Sequence, residues 1–319
     1  MKFKQRLITS SVIMLVLVFA FVTRIWTPYV FDMLILSLAV MGAVEVARVL
    51  ERQQKYTNFI VVATMPGLLY ILITIVLSLK LQWQYLLLML LGAIVAYFAI
   101  VFLITLLSKK TSAAEMEKYE LKDVKLYRYA LDKAIYSLTV LVYPTLLFMA
   151  LILLNHFNEL SFIVDMGHEF KMATWFALIS VFVVTIMTDT MAYLVGSTLK
   201  GPKLCPLISP NKTISGAIGG LLGGLLGGMG LYGLFCLSGT FKAEMAAVGA
   251  SWWILLAIFL LGSIITQIGD ILASALKRRS RVKDYGTIFP GHGGVMDRMD
   301  GNIFNAFLSF VAFMLIFLV

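Results

Sequence analysis

The chain has 319 residues, of which 61% are hydrophobic and only 13% are charged, and it carries a formal net charge of +9. Soluble domains are nearer half apolar and a quarter charged, so the composition excludes an ordinary soluble enzyme or binding domain. Apolar stretches of membrane-spanning length recur throughout. Membrane topology therefore accounts for the positive charge, and we expect no nucleic-acid partner.

Nine apolar stretches are each about 20 residues long or slightly longer, enough to cross a bilayer as a helix. The first follows a basic N-terminus and ends near Val22; we expect it to be a retained helix, because no small-residue cleavage site follows. The other eight lie near residues 29–50, 57–79, 83–107, 130–154, 172–198, 213–237, 251–275 and 299–319. The predicted fold class is an all-α polytopic integral membrane protein with about nine transmembrane helices.

The positive charge falls on alternate loops between these stretches. Of the 26 lysines and arginines, 21 lie on the side that holds the N-terminus. Cytoplasmic loops collect Lys and Arg, which predicts a cytoplasmic N-terminus and a C-terminus outside. The polar segment 270–300 then faces the cytoplasm.

The chain divides into two parts of one integral membrane unit. Residues 1–128 form an N-terminal four-helix transmembrane region with a cytoplasmic connector, 108–128, in which a surface helix is an option. Residues 129–319 form a C-terminal five-helix transmembrane region that holds the candidate catalytic residues. His156 and His168 lie in an external loop, and we expect them to be incidental surface residues.

Two carboxylates lie within predicted spans. Asp189 is well inside the sixth, where an ionised side chain is costly unless it faces a polar cavity or a cation, so we expect it to have a role. Glu45 lies in the second, with Arg48 one turn further on. A structural ion pair and a functional role explain Glu45 about equally well.

The loop before the seventh span and that span itself are both unusual. Ser209–Thr213 places Lys212 between hydroxyl groups just before a helix N-terminus, an arrangement that suits an anion. The span repeats glycine at every fourth residue from Gly216 to Gly228. Small residues at this spacing allow close helix packing, either within one protomer or in a homodimer through the helix at 213–237.

The segment 270–300 concentrates acidic and basic residues between two spans. Asp270, Ser274 and Lys277 share one helix face by their i, i+4, i+7 spacing. Asp297 and Asp300 lie at the start of the last helix, where Asp300 would be the N-cap. Carboxylates bind divalent cations, while Lys and Arg bind phosphate oxygens. These residues predict a metal-dependent reaction on phosphates at a membrane face, one of them a lipid phosphate. The remaining candidates in this segment are Arg278, Lys283, Asp284 and Arg298, with Gly291, Gly293 and Gly294 bending the backbone.

Several of these stretches together resemble the signature of the CDP-diacylglycerol synthases (phosphatidate cytidylyltransferases). The stretches are 189–196, 209–213, 274–278, 283–286, 289–294 and 297–300. The chain departs from the family pattern at Gly301, where Ser is expected, and at Asn211, where Lys is commoner.

The resemblance implies that CTP and phosphatidate are converted into CDP-diacylglycerol and pyrophosphate. The predicted orientation makes the active site face the cytoplasm, and because no extra targeting segment is evident, we expect a bacterial inner membrane. Membrane lipid would be a further partner. Asp270 and Asp297 would bind Mg²⁺, as two ions, with Mn²⁺ as an alternative, and Lys277 and Asp300 would complete the catalytic set. His292 would be structural. The residues implied in substrate binding are Ser209, Lys212, Thr213, Asp189, Ser274, Arg278, Lys283, Asp284 and Arg298.

Two other interpretations stay open. One is a membrane transporter with an acidic cytoplasmic ion site, although transporter sites usually lie near the bilayer midplane within repeated units and no internal repeat is evident here. The other is a related nucleotidyltransferase that acts on another lipid phosphate, because no residue pattern in the chain identifies the base.

Overall fold

The computed structural model describes residues 2–121, 123–166 and 169–318, and most of them are helical. The helices are α1 (Lys2–Thr23), α2 (Tyr29–Glu51), α3 (Phe59–Ser78), α4 (Trp83–Leu107), α5 (Lys109–Lys118), α6 (Leu126–Val140), α7 (Leu147–Asn155), α8 (Ser161–Asp165), α9 (Lys171–Leu199), α10 (Ile214–Phe235), α11 (Gly239–Ala247), α12 (Trp252–Arg279) and α13 (Met296–Leu318). A wide helical segment, Leu141–Leu146, joins α6 to α7, and a short 3₁₀ turn, Phe157–Glu159, follows α7.

The all-α polytopic fold class is confirmed. Within the described residues, eight helices are long and apolar enough to cross a membrane, with α6 and α7 forming one of them, Leu126–Asn155. The apolar part of α1, Ile8–Thr23, is shorter. The orientation of the termini stays a prediction.

One small antiparallel hairpin interrupts the helices. Strands β1 (Lys203–Cys205) and β2 (Ser209–Thr213) pair with Lys203 opposite Thr213. Thr213 then caps α10, because its side-chain oxygen accepts a hydrogen bond from Gly216 N at 3.1 Å. The hairpin and the cap fix Ser209–Thr213 at the N-terminus of α10, where the sequence predicted an anion site.

The glycine-rich face of α10 packs against α9 and α12 inside the protomer. A Cβ at Gly223 would overlap Met191 and lie 2.7 Å from the carbonyl oxygen of Met187, while one at Gly228 would overlap Phe259. The predicted close packing is confirmed within one protomer. A homodimer through α10 stays a prediction, and it would use the opposite face of the helix, which exposes Leu222 and Leu226.

Replacing Gly223 with Ala should destabilise the protein by about 2 kcal/mol, because the added methyl group has no space between α10 and α9. Gly230→Ala is the matched control on the same helix, since no atom lies within 4 Å of a Cβ at that position. Unfolding midpoints in detergent measure both effects. Equal midpoints for the two variants would contradict the described helix packing.

The predicted connector, 108–128, is tied to the membrane helices. It contains α5, which agrees with the surface helix considered for this connector. Glu115 on α5 forms a 2.6 Å ion pair with the buried Lys133 of α6. Tyr119 donates to Glu51 at 2.5 Å and stacks on Tyr56 with ring centroids 3.8 Å apart. These contacts fix the connector against the C-terminal end of α2.

A buried polar cluster lies at the other end of α2. Asp32 is fully buried and accepts hydrogen bonds from Asn155 Nδ2 at 2.8 Å and Tyr70 OH at 3.1 Å, while His156 Nε2 lies 2.7 Å from its Oδ2. The prediction that His156 is an incidental surface residue is wrong. His156 is buried because this carboxylate, together with Glu159 at 3.0 Å from Nδ1, supplies partners for its ring. His168 lies outside the described residues.

The stability of the protein should fall as the pH rises through the range in which His156 loses its proton. Burial lowers the pKa of His156, but the hydrogen bonds and charges of Asp32 and Glu159 outweigh it and raise the pKa from 6.5 to about 9. The charged ring is thus favoured in the folded state, and its contribution is complete below pH 6.5 and lost as the pH rises through about 9. Unfolding midpoints measured between these pH values should decline more steeply for the wild type than for His156→Gln; parallel slopes would contradict the assignment.

Candidate active site

The segment between α12 and α13 folds into a loop closed by backbone hydrogen bonds. Phe289 N donates to Gly293 O at 2.9 Å, and Gly293 N donates to Phe289 O at 3.1 Å. Gly293 has φ +89°, a left-handed conformation that favours glycine, and a Cβ there would lie 2.6 Å from Asp297 Oδ2. The predicted glycine bend is present, and it brings the loop backbone against the first turn of α13.

Asp297 lies at the centre of this loop. Its Oδ1 accepts a hydrogen bond from Lys277 Nζ at 2.7 Å, and its Oδ2 accepts from Tyr285 N at 2.7 Å and Gly294 N at 2.9 Å. The Asp297 side chain is 3% exposed. Lys277 therefore bonds to the last helix, although its spacing on α12 suggested a shared face with Asp270.

Glu45 of α2 holds the N-terminus of α13. Its two carboxylate oxygens accept hydrogen bonds from Val295 N at 3.0 Å and Met296 N at 2.9 Å, and the residue is 2% exposed. A Cβ at Gly286 or at Gly294 would overlap the Glu45 carboxylate. The sequence singled out Glu45 as a carboxylate within a span but did not identify these partners, which are 250 residues away along the chain. Glu45 is thus the group that caps α13.

Asp300 does not have the predicted N-cap position. Because α13 begins at Met296, Asp300 lies in its second turn, where its Oδ1 accepts a hydrogen bond from Gly301 N at 2.9 Å. It interacts electrostatically with Asp270, Lys277 and Asp189. The neighbouring Gly301 leaves no space for the Ser side chain expected there, since a Cβ would lie 2.8 Å from Thr266.

Two further carboxylates, Asp189 and Asp270, line a cavity between α9, the β-hairpin, α10 and α12. The cavity has a volume of about 430 Å³, and Asp189, Lys212 and Asp270 all line it. Lys212 Nζ lies 2.6 Å from Asp270 Oδ2, and Ser274 Oγ lies 3.4 Å from Asp270 Oδ1. The structure thus places three predicted site residues from separate elements in one cavity and positions Ser274 beside it. We name it the Asp270 cavity.

The other predicted phosphate-binding residues surround the 280–294 loop. Lys283, Asp284 and Arg298 line a second cavity of about 680 Å³. Arg278 donates to the carbonyl oxygen of Ile208, next to Ser209, at 3.2 Å. His292, which the sequence analysis interpreted as structural, has Nε2 3.0 Å from Ser10 Oγ of α1. The predicted residues therefore form two adjacent groups rather than one.

Of the two predicted metal ligands, Asp270 keeps one oxygen more open to a divalent cation, while its other oxygen pairs with Lys212. Among the described residues, Asp270 Oδ1 has only the Ser274 hydroxyl as a hydrogen-bond partner, and Asp189 lines the same cavity. Asp297 differs, because its oxygens already accept three hydrogen bonds and it could bind a cation only by releasing Lys277. Across residues 2–121, 123–166 and 169–318, no group of three or more carboxylate, imidazole or thiol side chains is close enough to hold a metal ion.

Sequence comparisons agree with the resemblance found in the motifs. A model of the cytidylyltransferase family matches residues 4–317. The phosphatidate cytidylyltransferase of Brucella abortus biovar 1 is 40% identical over 134 residues, which cover 42% of this chain and 45% of the relative. The phosphatidate cytidylyltransferase of Staphylococcus aureus strain COL is 41% identical over 125 residues, which cover 39% of this chain and 43% of the relative. The match thus spans less than half the length of these relatives. Because the family model covers nearly the whole sequence, the chain belongs to the cytidylyltransferase family.

Proposed function

We propose that the protein transfers a cytidylyl group from CTP to phosphatidate and so forms CDP-diacylglycerol and pyrophosphate. A phosphate oxygen of the lipid attacks the α-phosphorus of CTP, a new P–O bond forms, and the bond from the α-phosphorus to the β-phosphate bridging oxygen breaks. The lipid phosphate is already anionic near neutral pH, so the reaction needs no strong general base. The site has to bring two polyanions together and hold them in line.

The observation that carries this proposal is the pairing of Lys212 with Asp270 in a cavity also lined by Asp189. Lys212 is 25% exposed and Asp270 is 35% exposed, so both remain accessible to a ligand. A phosphate that binds Lys212 displaces its contact with Asp270 and frees that carboxylate for a cation. The N-terminus of α10, two residues after Lys212, adds backbone N–H groups suited to phosphate oxygens.

The residues of the 280–294 loop would hold the second anionic group. Lys283 and Arg298 line the larger cavity, and Asp284 beside them would orient these two cationic side chains. Arg278 bonds to the hairpin at Ile208 O and to the loop at Val282 O, and so connects the two elements. This separation of two basic groups fits a reaction with two phosphate-bearing substrates.

Mg²⁺ is the cation that we assign to Asp270 and, after release of Lys277, to Asp297, with Mn²⁺ as an alternative. When bound, it would neutralise charge on the phosphates and on the departing pyrophosphate. Lys277 would then be free to contact a phosphate oxygen, and Asp300 would add negative charge beside the cation. We assign the site to the cytoplasmic face of the membrane from the distribution of Lys and Arg. The bacterial origin of the similar proteins supports a bacterial inner membrane.

Pyrophosphate release by the purified protein in detergent tests the function. We expect release to require CTP, phosphatidate and Mg²⁺ together and to be absent when ATP, GTP or UTP replaces CTP. Mass spectrometry should detect CDP-diacylglycerol in the same samples. Release with another nucleotide or another lipid phosphate would identify a related nucleotidyltransferase, and the absence of release with every combination would overturn the proposal.

A further inference from the structure

A basic cavity lies between the C-terminal ends of α2 and α12. It has a volume of about 550 Å³ and is lined by four cations and no carboxylate. We name it the α2–α12 cavity. The cations are Arg52, Lys55, Arg279 and Arg281.

The two walls of this cavity are far apart in sequence but are bonded to each other. Gln53 Nε2 donates a hydrogen bond to Ser280 Oγ at 2.5 Å, across 227 residues of chain. Ser280 is 5% exposed and donates in turn to Leu276 O at 3.0 Å. This link holds the basic ends of α2 and α12 together, although like charges on two free helix ends would repel each other.

The backbone at both walls adopts a conformation that usually belongs to glycine. Gln54 follows α2 with φ +58°, and Arg281 follows α12 with φ +55°. Helices commonly end with a left-handed residue, and that residue is usually glycine because it lacks a Cβ. Both residues line the cavity, and the sharp turn that each makes brings the chain after each helix back toward it.

The cations of the cavity have no acidic partner among the residues that the structure describes. Within the part of the chain that the structure describes, Arg52, Arg279 and Arg281 form no ion pair, and Lys55 lies 5.5 Å from the ring centroid of Tyr136. The favourable position of a cation at a helix C-terminus accounts for Arg279 in the last turn of α12 and for Arg52, the C-cap residue of α2, but not for Lys55 and Arg281. Membrane orientation requires positive charge on this side but does not require that it converge on one cavity.

The α2–α12 cavity is separate from the Asp270 cavity, with which it shares no lining residue. A third cavity, of about 530 Å³, adjoins it through Arg52 and Arg281 and is also lined by Glu45 and Lys283. The basic cavity is therefore next to the loop that Glu45 holds, but it contains none of the residues that we assign to the reaction.

We propose that the α2–α12 cavity is a second anion site that binds a phosphate group, supplied by the headgroup of an anionic phospholipid or by free pyrophosphate. Arg and Lys from both walls bind the phosphate oxygens through charge-assisted hydrogen bonds. The bound phosphate neutralises the converging charges and stabilises the contact between α2 and α12.

Calorimetric titration of the full chain in neutral detergent, with EDTA and without CTP, tests this proposal. The probes are inorganic pyrophosphate, a short-chain phosphatidylglycerol and, as the neutral control, phosphatidylcholine with the same chains. For at least one anionic probe, we expect the Kd to rise about ten-fold in Arg279→Gln/Arg281→Gln and in Arg52→Gln/Lys55→Gln, since each pair removes charge-assisted contacts from one wall.

Lys109→Gln/Lys110→Gln is the matched control, because it removes two exposed cations from the predicted cytoplasmic side outside the cavity. This double variant should keep the wild-type Kd. Lys212→Gln changes the Asp270 cavity and should leave binding to the α2–α12 cavity intact. A response to phosphatidylglycerol alone identifies a lipid headgroup as the ligand, and a response to pyrophosphate alone identifies a free phosphate.

The proposal is overturned if no anionic probe binds the wild type, if Lys109→Gln/Lys110→Gln weakens binding as much as the cavity variants do, or if Lys212→Gln abolishes all binding. The titration needs no turnover. Its failure would therefore leave the proposed function intact, and a failed activity assay would leave the anion site intact.

Discussion

Replacing Asp270 with Asn should lower pyrophosphate release from CTP and phosphatidate by about 10³-fold, because it removes a charge that acts directly on the reacting phosphates. Asn keeps the size of the side chain, so the contact with Ser274 can persist. The variant loses the negative charge of Asp270, whose Oδ2 lies 2.6 Å from Lys212 Nζ. It therefore also loses the carboxylate that we assign as a ligand of the metal ion. The loss should appear mainly in kcat rather than in stability.

Asp165→Asn is the matched control for this prediction. Asp165 is an exposed aspartate at the end of α8, outside both cavities of the candidate site, and the same loss of charge there should leave the rate unchanged. Unfolding midpoints should agree among the wild type and both variants. An Asp270→Asn protein that keeps more than about a tenth of the wild-type rate would rule out Asp270 as an essential ligand.

The second large effect is expected at Glu45. Replacing it with Ala leaves the backbone N–H groups of Val295 and Met296 without acceptors in a buried position, and we expect the free energy of unfolding to fall by about 3 kcal/mol. Activity should fall with it, because the same turn of α13 positions Asp297. Glu45→Gln keeps one acceptor oxygen, so its loss of stability should be smaller.

Arg48→Ala serves as the control for Glu45. Arg48 is exposed and lies one turn further along α2, and its removal should change the free energy of unfolding by less than about 0.5 kcal/mol. Denaturant or thermal unfolding in detergent measures all three variants. If Glu45→Ala unfolds at the wild-type midpoint, Glu45 does not hold the N-terminus of α13.

The parts of the fold that depend on local sequence could be predicted. Apolar length alone located the eight helices from α2 to α13 that could cross a membrane, because each needs only a continuous hydrophobic stretch. The glycine spacing from Gly216 predicted close packing, because glycines four residues apart lie on one face of the helix and leave room for a neighbouring helix. The position of Ser209–Thr213 directly before a helix N-terminus was likewise predictable, because the N-cap at Thr213 is encoded within a few residues; anion binding there stays a prediction.

The pairing of distant charges could not be predicted in this way. Helix spacing placed Asp270 and Lys277 on one face, but Lys212 pairs with Asp270 and Lys277 pairs with Asp297. These partners depend on how α10, α12 and α13 lie beside each other, which no local pattern specifies. The same is true of His156, which is polar in sequence but buried because Asp32 lies against it.

The link from Glu45 to α13 also has a consequence for how the chain is made. The ribosome synthesises α2 long before α13, so Glu45 enters the membrane before the amides of Val295 and Met296 exist. Until then the second helix carries a carboxyl group without its final hydrogen-bond donors. A chain truncated before residue 295 should therefore be less stable than the full chain, because the Glu45 carboxylate then lacks the two backbone N–H groups that it binds.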